Sequence, residues 1–216
     1  MSNLPLASAA DEPLRPRRKG EVTAERILDA AEELFAERGY EGTTLRDVAD
    51  RVGIRNPSLY NHFDGKKSLY GAVLDRGIRP VTDLLSEFVD KGEDRGQLVA
   101  RVMEVLSQRP NLPRLVMYET LSGGQRLTPM LRSWIGPVFA RGNEMVEAPE
   151  GGWDPELAPH FMLAIYHVLV GYFATAPFYK ELNGENLLEP EALERQSRAL
   201  VELTTQLFSD RTRSSD

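Results

Sequence analysis

The chain has 216 residues, a formal net charge of −7 and no cysteine, and 41% of its residues are hydrophobic. This composition is typical of a globular protein with a buried core, and it excludes disulfides, thiolate zinc sites and a cysteine redox switch. No apolar run reaches the ~18 residues of a membrane span, and no apolar core follows a basic start at the N-terminus. We therefore expect a cytoplasmic protein that has no membrane partner.

The negative charge is unevenly distributed along the chain. Residues 1–70 carry 11 basic and 12 acidic side chains, whereas residues 71–216 carry 15 basic and 21 acidic ones. A nearly neutral segment can still present one basic face. The overall charge therefore does not exclude a nucleic-acid partner for the first part of the chain.

Residues 1–20 lack hydrophobic periodicity and include three prolines, which predicts a flexible basic arm. Its cationic side chains are Arg15, Arg17, Arg18 and Lys19. Two roles are open for them: an arm that enters the minor groove of DNA, or a disordered solubilising tail.

Four helices are predicted next in the chain. The first is capped by Thr23 and runs to Arg38, where Gly39 ends it. The second is capped by Thr43 or Thr44 and spans 45–51, and a turn at 52–54 follows. The third is capped by Asn56, with Pro57 in its first position, and reaches about residue 63. The fourth runs from Lys66 to about residue 89.

The rest of the chain is predicted to be helical, at 93–108, 111–122, 128–147, 155–176 and 190–209, with one of these helices stopping near Pro177. No segment shows the period-2 alternation of strands. The predicted fold is therefore all-α: a flexible arm over 1–20, a three-helix DNA-binding domain over 21–66, and a larger helical bundle over 67–216.

Residues 45–63 have the pattern of a helix-turn-helix, in which two short helices are joined by a turn that contains glycine. The close crossing of two such helices requires small or apolar side chains inside, here Ala49, Val52, Ile54 and Leu59. The second helix then presents a polar face, which fits the major groove of DNA.

The stretch TTLRDVADRVGIRNPSLYNHFDGKKSLYGAVLD resembles the TetR family of bacterial transcriptional regulators. The most specific similarity lies in Gly53-Ile54, Ser58-Leu59-Tyr60, His62-Phe63, Lys66 and Leu69. The resemblance implies a helix-turn-helix DNA-binding domain, followed by a helical-bundle domain for ligand binding and dimerisation.

The resemblance also implies DNA contacts. Arg46 matches a position that reaches a base or a phosphate, and an arginine can bind guanine through two hydrogen bonds. Lys66 matches a phosphate-binding lysine at a helix N-terminus. Lys67 and Ser68 depart from the family, in which acidic residues are common there. For Arg55 and Lys67 a solvated charge is the alternative to a phosphate contact. The full set of expected DNA-binding residues is Thr44, Arg46, Arg55, Pro57, Ser58, Tyr60, Asn61, His62, Lys66 and Lys67.

The second domain is rich in aromatic residues and methionine. Such residues either fill a plain core or line a pocket for a small, mainly apolar effector. The candidates for ligand contact are Met103, Met117, Tyr118, Trp134, Phe139, Tyr166 and His167. His160 and His167 are seven residues apart, too far to share a metal ion, and we expect neither metal nor cofactor.

The last two predicted helices carry more apolar surface than one neighbour covers, which fits either a central helix in a monomer or the homodimer that the family resemblance implies. Apolar residues repeat every seven positions in the final helix, and those of the preceding helix cover more than one face. The expected interface residues are Phe161, Ile165, Val168, Tyr172, Leu193, Leu200 and Leu207. A twofold axis would place two recognition helices about 34–36 Å apart, on a palindromic operator.

The leading hypothesis is a DNA-binding repressor that a small-molecule effector releases from its operator. A second is a DNA-binding architectural or constitutive regulator without a ligand. A helical enzyme is the weakest, because the sequence contains no glycine-rich phosphate loop, nucleophile elbow or His-Glu-x-x-His zinc motif.

Overall fold

The computed structural model describes residues 19–91, 95–126, 129, 132, 156 and 158–212. Within those residues the chain forms eight helices and no strand, which confirms the all-α prediction. The predicted helix at 128–147 lies almost wholly outside the described residues. The helices are α1 (Lys19–Arg38), α2 (Leu45–Val52), α3 (Asn56–Tyr60), α4 (Lys66–Lys91), α5 (Arg95–Ser107), α6 (Asn111–Leu121), α7 (Ala158–Asn183) and α8 (Pro190–Thr212).

The first three helices enclose a small apolar core. Ile27, Leu34 and Phe35 of α1 are buried, as their helical spacing predicts. Val48 of α2 and Leu59 of α3 are fully buried in the same cluster, which holds the two short helices against α1. The predicted interior of the helix-turn-helix is thus confirmed.

Two predicted caps are wrong. α1 begins at Lys19, so Thr23 lies inside the helix and does not cap it. α3 begins at Asn56, which makes Arg55 its N-cap residue, although no Arg55 side chain caps it. Pro57 nevertheless lies in the first turn of α3, where its missing N–H breaks no helical hydrogen bond.

α7 continues past Pro177, contrary to the prediction that it stops there. Proline in a helix interior costs about 3 kcal/mol, but the packing of α7 outweighs that penalty. Phe173 and Ala176 just before the proline are buried in the protein. The helix ends instead at Gly184, whose φ of 73° is the left-handed conformation that terminates helices.

The second part of the chain is a bundle in which α8 packs along α5 and α7 packs along α6. α4 contacts α1, α5 and α6, so it joins the bundle to the first three helices. Leu200 of α8 is only 4% exposed and belongs to the core of its own chain. Leu193 also packs against this core. Leu200 is therefore already covered within its own chain, and its place in a dimer interface stays a prediction.

Candidate nucleic-acid interface

The N-terminus of α2 is closed by a reciprocal capping box. The Thr44 hydroxyl oxygen accepts a hydrogen bond from the Asp47 amide at 3.1 Å, and the Asp47 carboxylate accepts one from the Thr44 amide at 2.8 Å. This confirms Thr44 as the cap. The hydrogen bonds from the Thr44 side chain and backbone lower the pKa of Asp47. Asp47 therefore stays ionised at neutral pH and fixes where α2 begins.

The turn between α2 and α3 fixes the angle between the two helices. Gly53 has a φ of 75°, a conformation that strains other residues, and the Ile54 amide donates to the Ala49 carbonyl at 3.0 Å. From α1, the Arg26 guanidinium donates to the Val52 carbonyl at 2.8 Å. The second short helix is therefore presented in one defined orientation.

Polar side chains cover the outer surface of α2 and α3. Arg46 on α2 is 84% exposed, and its nearest partner is Asp50 at 3.8 Å, one turn along the same helix. Tyr60 on α3 is 53% exposed, although it is a large aromatic residue. The other predicted contacts Arg55, Pro57, Asn61 and Lys67 are exposed, whereas Ser58 and His62 are half-buried. The structure therefore leaves these predicted DNA-binding residues exposed, except for the half-buried Ser58 and His62.

Lys66, at the first position of α4, lies beside this surface. Its ammonium group is 4.3 Å from the centroid of the Tyr40 ring and 3.4 Å from the Glu41 carbonyl oxygen. Both partners belong to the turn between α1 and α2. Lys66 is thus held against that turn by a cation–π contact and a hydrogen bond.

A cluster of charges joins α1 to α4. Arg76 of α4 donates hydrogen bonds to Glu25, Asp29 and Glu32 of α1, at 3.1, 2.7 and 2.8 Å. Arg109, just before α6, donates to Glu32 at 3.0 Å. Burial alone lowers the pKa of Arg76, but the hydrogen bonds to Asp29 and Glu32 outweigh burial and raise it. α1 is therefore tied to α4 and to the residue before α6 by ion pairs.

A second polar cluster joins α6 to the turn between α1 and α2. Tyr70 of α4 donates a 2.9 Å hydrogen bond to the carboxyl group of Glu119, which is completely buried. Arg126 lies between Glu119 and Glu41, at 3.5 and 2.7 Å, with its guanidinium carbon 4.0 Å from the Tyr40 ring centroid. Burial, followed by the hydrogen bond to Glu119, raises the pKa of Tyr70, so its hydroxyl remains a donor.

Sequence reasoning did not identify these clusters. Apart from Glu119 and Arg126, which are seven positions apart, the hydrogen-bonded members are separated by 44 to 85 positions in the chain. No local spacing relates an arginine after α6 to an aromatic residue after α1. The one local signal is Tyr40, an aromatic residue next to the helix-ending Gly39.

The described candidates for ligand contact differ in burial and in the helices that they touch. Met103 is buried in the core, and Met117 is half-buried. Tyr118 is 47% exposed and lies against Gly39, at the contact between α6 and α1. This position argues against a role in an effector pocket within the bundle. Trp134 and Phe139 lie outside the described residues.

The two remaining ligand candidates are neighbours on α7. Tyr166 is half-buried, and its hydroxyl is 2.8 Å from the Thr120 hydroxyl of α6. His167 is exposed, with its Nδ1 2.7 Å from the Leu163 carbonyl oxygen of its own helix. Only Tyr166 of this pair connects two helices of the bundle.

The candidate dimer contacts on α7 also differ from one another. Val168 is 42% exposed, and Ile165 is half-buried against the core. The Tyr172 hydroxyl donates to the carbonyls of Leu187 and Ala192, which fixes the connection between α7 and α8 within the chain. The side chains of Phe161 and Leu207 lie outside what the structure describes.

Several apolar residues that the prediction did not include are exposed on these two helices. They are Leu163, Phe178, Tyr179 and Leu182 of α7 and Leu203 of α8. A group of exposed apolar side chains of this size is typical of a surface that another protein chain covers.

Two kinds of feature are absent from the described residues. No helix in the described ranges is both long enough and apolar enough to cross a membrane. No group of three or more His, Asp or Glu side chains in the same ranges is arranged to hold a metal ion.

Comparison with known proteins gives a consistent result for the first part of the chain. Residues 27–73 match the family model of bacterial regulatory proteins of the tetR family. The chain is 39% identical over 71 residues to IcaR, the negative transcriptional regulator of the biofilm operon icaADBC of Staphylococcus aureus, and 44% identical over 68 residues to the transcriptional repressor KstR2 of Rhodococcus jostii. These alignments cover 33% and 32% of this chain, and 36% and 33% of IcaR and KstR2. The chain thus matches only about a third of the length of these relatives.

Solved structures with a similar fold cover most of this chain, not only residues 27–73. A transcriptional regulator of the TerR/AcrR family from Aquifex aeolicus superposes with a TM-score of 0.58 at 20% identity, over 86% of this chain and 99% of that one. At this identity the similarity shows the fold alone. The matched proteins named here are regulators of transcription rather than enzymes.

Proposed function

We propose that this chain is a transcriptional repressor of the TetR family of bacterial regulatory proteins, and that it binds DNA through α2 and α3. The match of residues 27–73 to the family model supports this assignment. The observation that carries the proposal is the exposed polar surface described above. Arg46 is 84% exposed on α2, and the exposed Tyr60 lies on α3. A buried Leu59 fixes α3 from behind, so that its outer face is free to enter the major groove.

The charges around this surface suit a DNA partner although the whole chain is acidic. Arg46, Arg55 and Lys67 are exposed, and Lys66 lies beside them at the start of α4. Three acidic residues of the first domain, Glu25, Asp29 and Glu32, lie on α1 and not on α2 or α3. Their charges are neutralised by Arg76 and Arg109. Phosphate contacts can therefore form without strong repulsion from α1.

The proposed active form is a homodimer on a palindromic operator. Val168 of α7 and Leu203 of α8 expose apolar surface that a second copy would cover. We place the interface on these exposed faces, and not on the face of α8 that carries Leu200. A dimer would present two copies of α3, which fit two half-sites of DNA about one helical turn apart.

We further propose that a small, mainly apolar effector reduces DNA affinity by binding the bundle. Such an effector acts only if it binds more tightly to a conformation in which the two recognition helices no longer match the operator. α4 is suited to transmit the change, because it contacts both the bundle and α1. The repressor would act in the cytoplasm, where the bacterial chromosome lies.

The test measures, by fluorescence anisotropy at several salt concentrations, how tightly the full-length protein binds the intergenic DNA upstream of its own gene. Lys66→Gln should weaken binding to all sequences and reduce the salt slope by about one per protomer. Arg46→Ala should weaken the specific site by about 1–3 kcal/mol if Arg46 reads a base.

Arg195→Gln provides a matched control, because Arg195 is an exposed arginine on α8 that pairs with Glu185, away from α2 and α3. It should leave DNA affinity unchanged. The proposal fails if the wild-type protein binds no palindrome in this region at low salt, or if Arg195→Gln weakens binding as much as Lys66→Gln does.

A further inference from the structure

The cluster at Tyr40 connects the bundle to a predicted phosphate-binding residue. Arg126 follows α6, yet its guanidinium contacts Glu41 at 2.7 Å and lies over the Tyr40 ring at 4.0 Å. Lys66 approaches the same ring at 4.3 Å and the Glu41 carbonyl at 3.4 Å. The turn between α1 and α2 is therefore held from two sides by two cations that come from different parts of the chain.

Arg126 is itself anchored in the interior of the protein. Glu119, its partner on α6, is completely buried, and one oxygen of this carboxyl group accepts the hydrogen bond from Tyr70. The other oxygen, Oε2, has no hydrogen-bond partner among the described residues. Burying a carboxyl group with one oxygen unsatisfied costs desolvation free energy, and a nearby cation offsets that cost. Arg126, at 3.5 Å, is that cation.

The two cations are electrostatically coupled through their shared aromatic ring. Their distances to its centroid place them at most about 8 Å apart, which is within one Debye length at physiological salt. Glu41 and Glu119 balance their charges. Displacement of Arg126 would leave Tyr40 and Glu41 without one of their two cationic partners, so that the support of Lys66 would also change.

We propose that Arg126 is a positioning residue for Lys66: anchored on the buried Glu119, it holds Tyr40 and Glu41 in the arrangement that directs the Lys66 ammonium group to a DNA phosphate. This inference rests on the proposed DNA-binding function. A shift of α6 can reach the proposed DNA-binding surface by this path, because Glu119 lies on α6 and Arg126 lies five residues beyond the last residue of that helix, Leu121.

The DNA test is a double-mutant cycle. Arg126→Gln should weaken binding to the upstream DNA by about threefold to tenfold, in the range of coupling carried by residues remote from a ligand. In a Lys66→Gln background the same substitution should have no further effect, because the residue that it positions is gone. Additive losses, with the salt slope reduced by about two per protomer in the double variant, would show that Arg126 contacts a phosphate itself, and would overturn the proposal.

Two further variants separate positioning from a general loss of structure. Glu119→Gln should reproduce the effect of Arg126→Gln, since it removes the anchor but keeps the size of the side chain. Arg126→Lys should restore part of the affinity, since it keeps the charge between Glu41 and Glu119. Equal losses in Arg126→Lys and Arg126→Gln would contradict the ion-pair argument.

A measurement without DNA tests the structural part separately. In hydrogen exchange, the Thr43 amide, which donates to the Tyr40 carbonyl at 3.4 Å, should exchange faster in Arg126→Gln and Glu119→Gln than in wild type or in Arg195→Gln. Unchanged exchange would overturn the link between α6 and the turn. Faster exchange in a protein that binds no DNA would instead retain the link and refute the proposed function.

Discussion

The charge cluster around Arg76 makes a quantitative prediction about what joins α1 to α4. Arg76→Met removes three ion pairs but keeps a side chain of similar length. The pairs with Glu25 and Asp29 are 49% and 64% exposed on the acidic side, so each contributes about 0–1 kcal/mol. Glu32 is only 9% exposed, and breaking a buried ion pair costs about 3–5 kcal/mol when no partner remains.

Two details reduce the cost at Glu32. Arg109 stays 3.0 Å from the same carboxylate. Arg76→Met also removes a buried Nε atom that has no hydrogen-bond partner in the part of the chain that the structure describes. We therefore expect Arg76→Met to lower the free energy of unfolding by about 2–4 kcal/mol in total. Arg79→Met is the matched control on the same helix: Arg79 is 59% exposed and pairs with Asp75 one turn away, which predicts a loss below about 1 kcal/mol.

The assay is urea unfolding followed by far-UV circular dichroism, at one fixed protomer concentration because subunit association contributes to apparent stability. A cycle with Glu32→Gln isolates the buried pair, which should show a coupling energy of about 0.5–3 kcal/mol. If Arg76→Met and Arg79→Met cost the same, or if Arg76 and Glu32 show no coupling, the reasoning that this cluster ties α1 to α4 is refuted.

Three further predictions concern other parts of the molecule. Gly77→Ala should destabilise the protein by about 1–3 kcal/mol in the same assay, because the new Cβ would lie 2.5 Å from a methyl carbon of the buried Leu112. Gly71→Ala on the same helix has open space and should stabilise the protein by about 0.5–1 kcal/mol. Equal effects of the two substitutions would contradict the close approach of α4 and α6. Asp47→Asn should lower the urea midpoint at pH 7. The difference from wild type should disappear as the pH falls from 3.8, the ordinary pKa of the carboxyl group, through the lowered pKa of Asp47, because a carboxyl group with a depressed pKa stabilises the fold only while it is ionised. A difference that persists at pH 2 would refute the capping-box argument. Leu203→Lys should shift the protein toward monomer in sedimentation velocity if the exposed apolar faces of α7 and α8 form the dimer interface, whereas an unchanged dimer would place the interface elsewhere.

The sequence contained enough information for most of the helices and for the exposure of side chains on α2 and α3. Ile27, Leu34 and Phe35 repeat at helical spacing, Thr44 marks the start of α2, and Gly53 marks its end, because these signals act over a few residues. Exposure of Tyr60 beside a buried Leu59 follows from the same short-range periodicity.

Tertiary contacts between distant positions could not be predicted in this way. The apolar repeat through Leu200 predicts a partner helix, but it does not say whether that helix belongs to the same chain, and here α5 is the partner. Pro177 predicts the end of a helix, because the penalty of a proline is local while the packing that outweighs it is not. Arg126 lies 85 positions from Glu41, and no pattern within a helix connects them.

The ion pairs across the boundary near residue 66 have a consequence for chimeric regulators. A graft of residues 21–66 alone onto a foreign bundle would carry Glu32 and Glu41 without Arg76, Arg109 and Arg126. The transplanted segment would hold the nearly buried Glu32 with no counter-charge, and the turn at Glu41 beside its proposed DNA-binding surface would lose its ion pair with Arg126. A portable module therefore consists of the helix-turn-helix together with three arginines that lie beyond it, and matching cations in the recipient decide which scaffolds can accept this head.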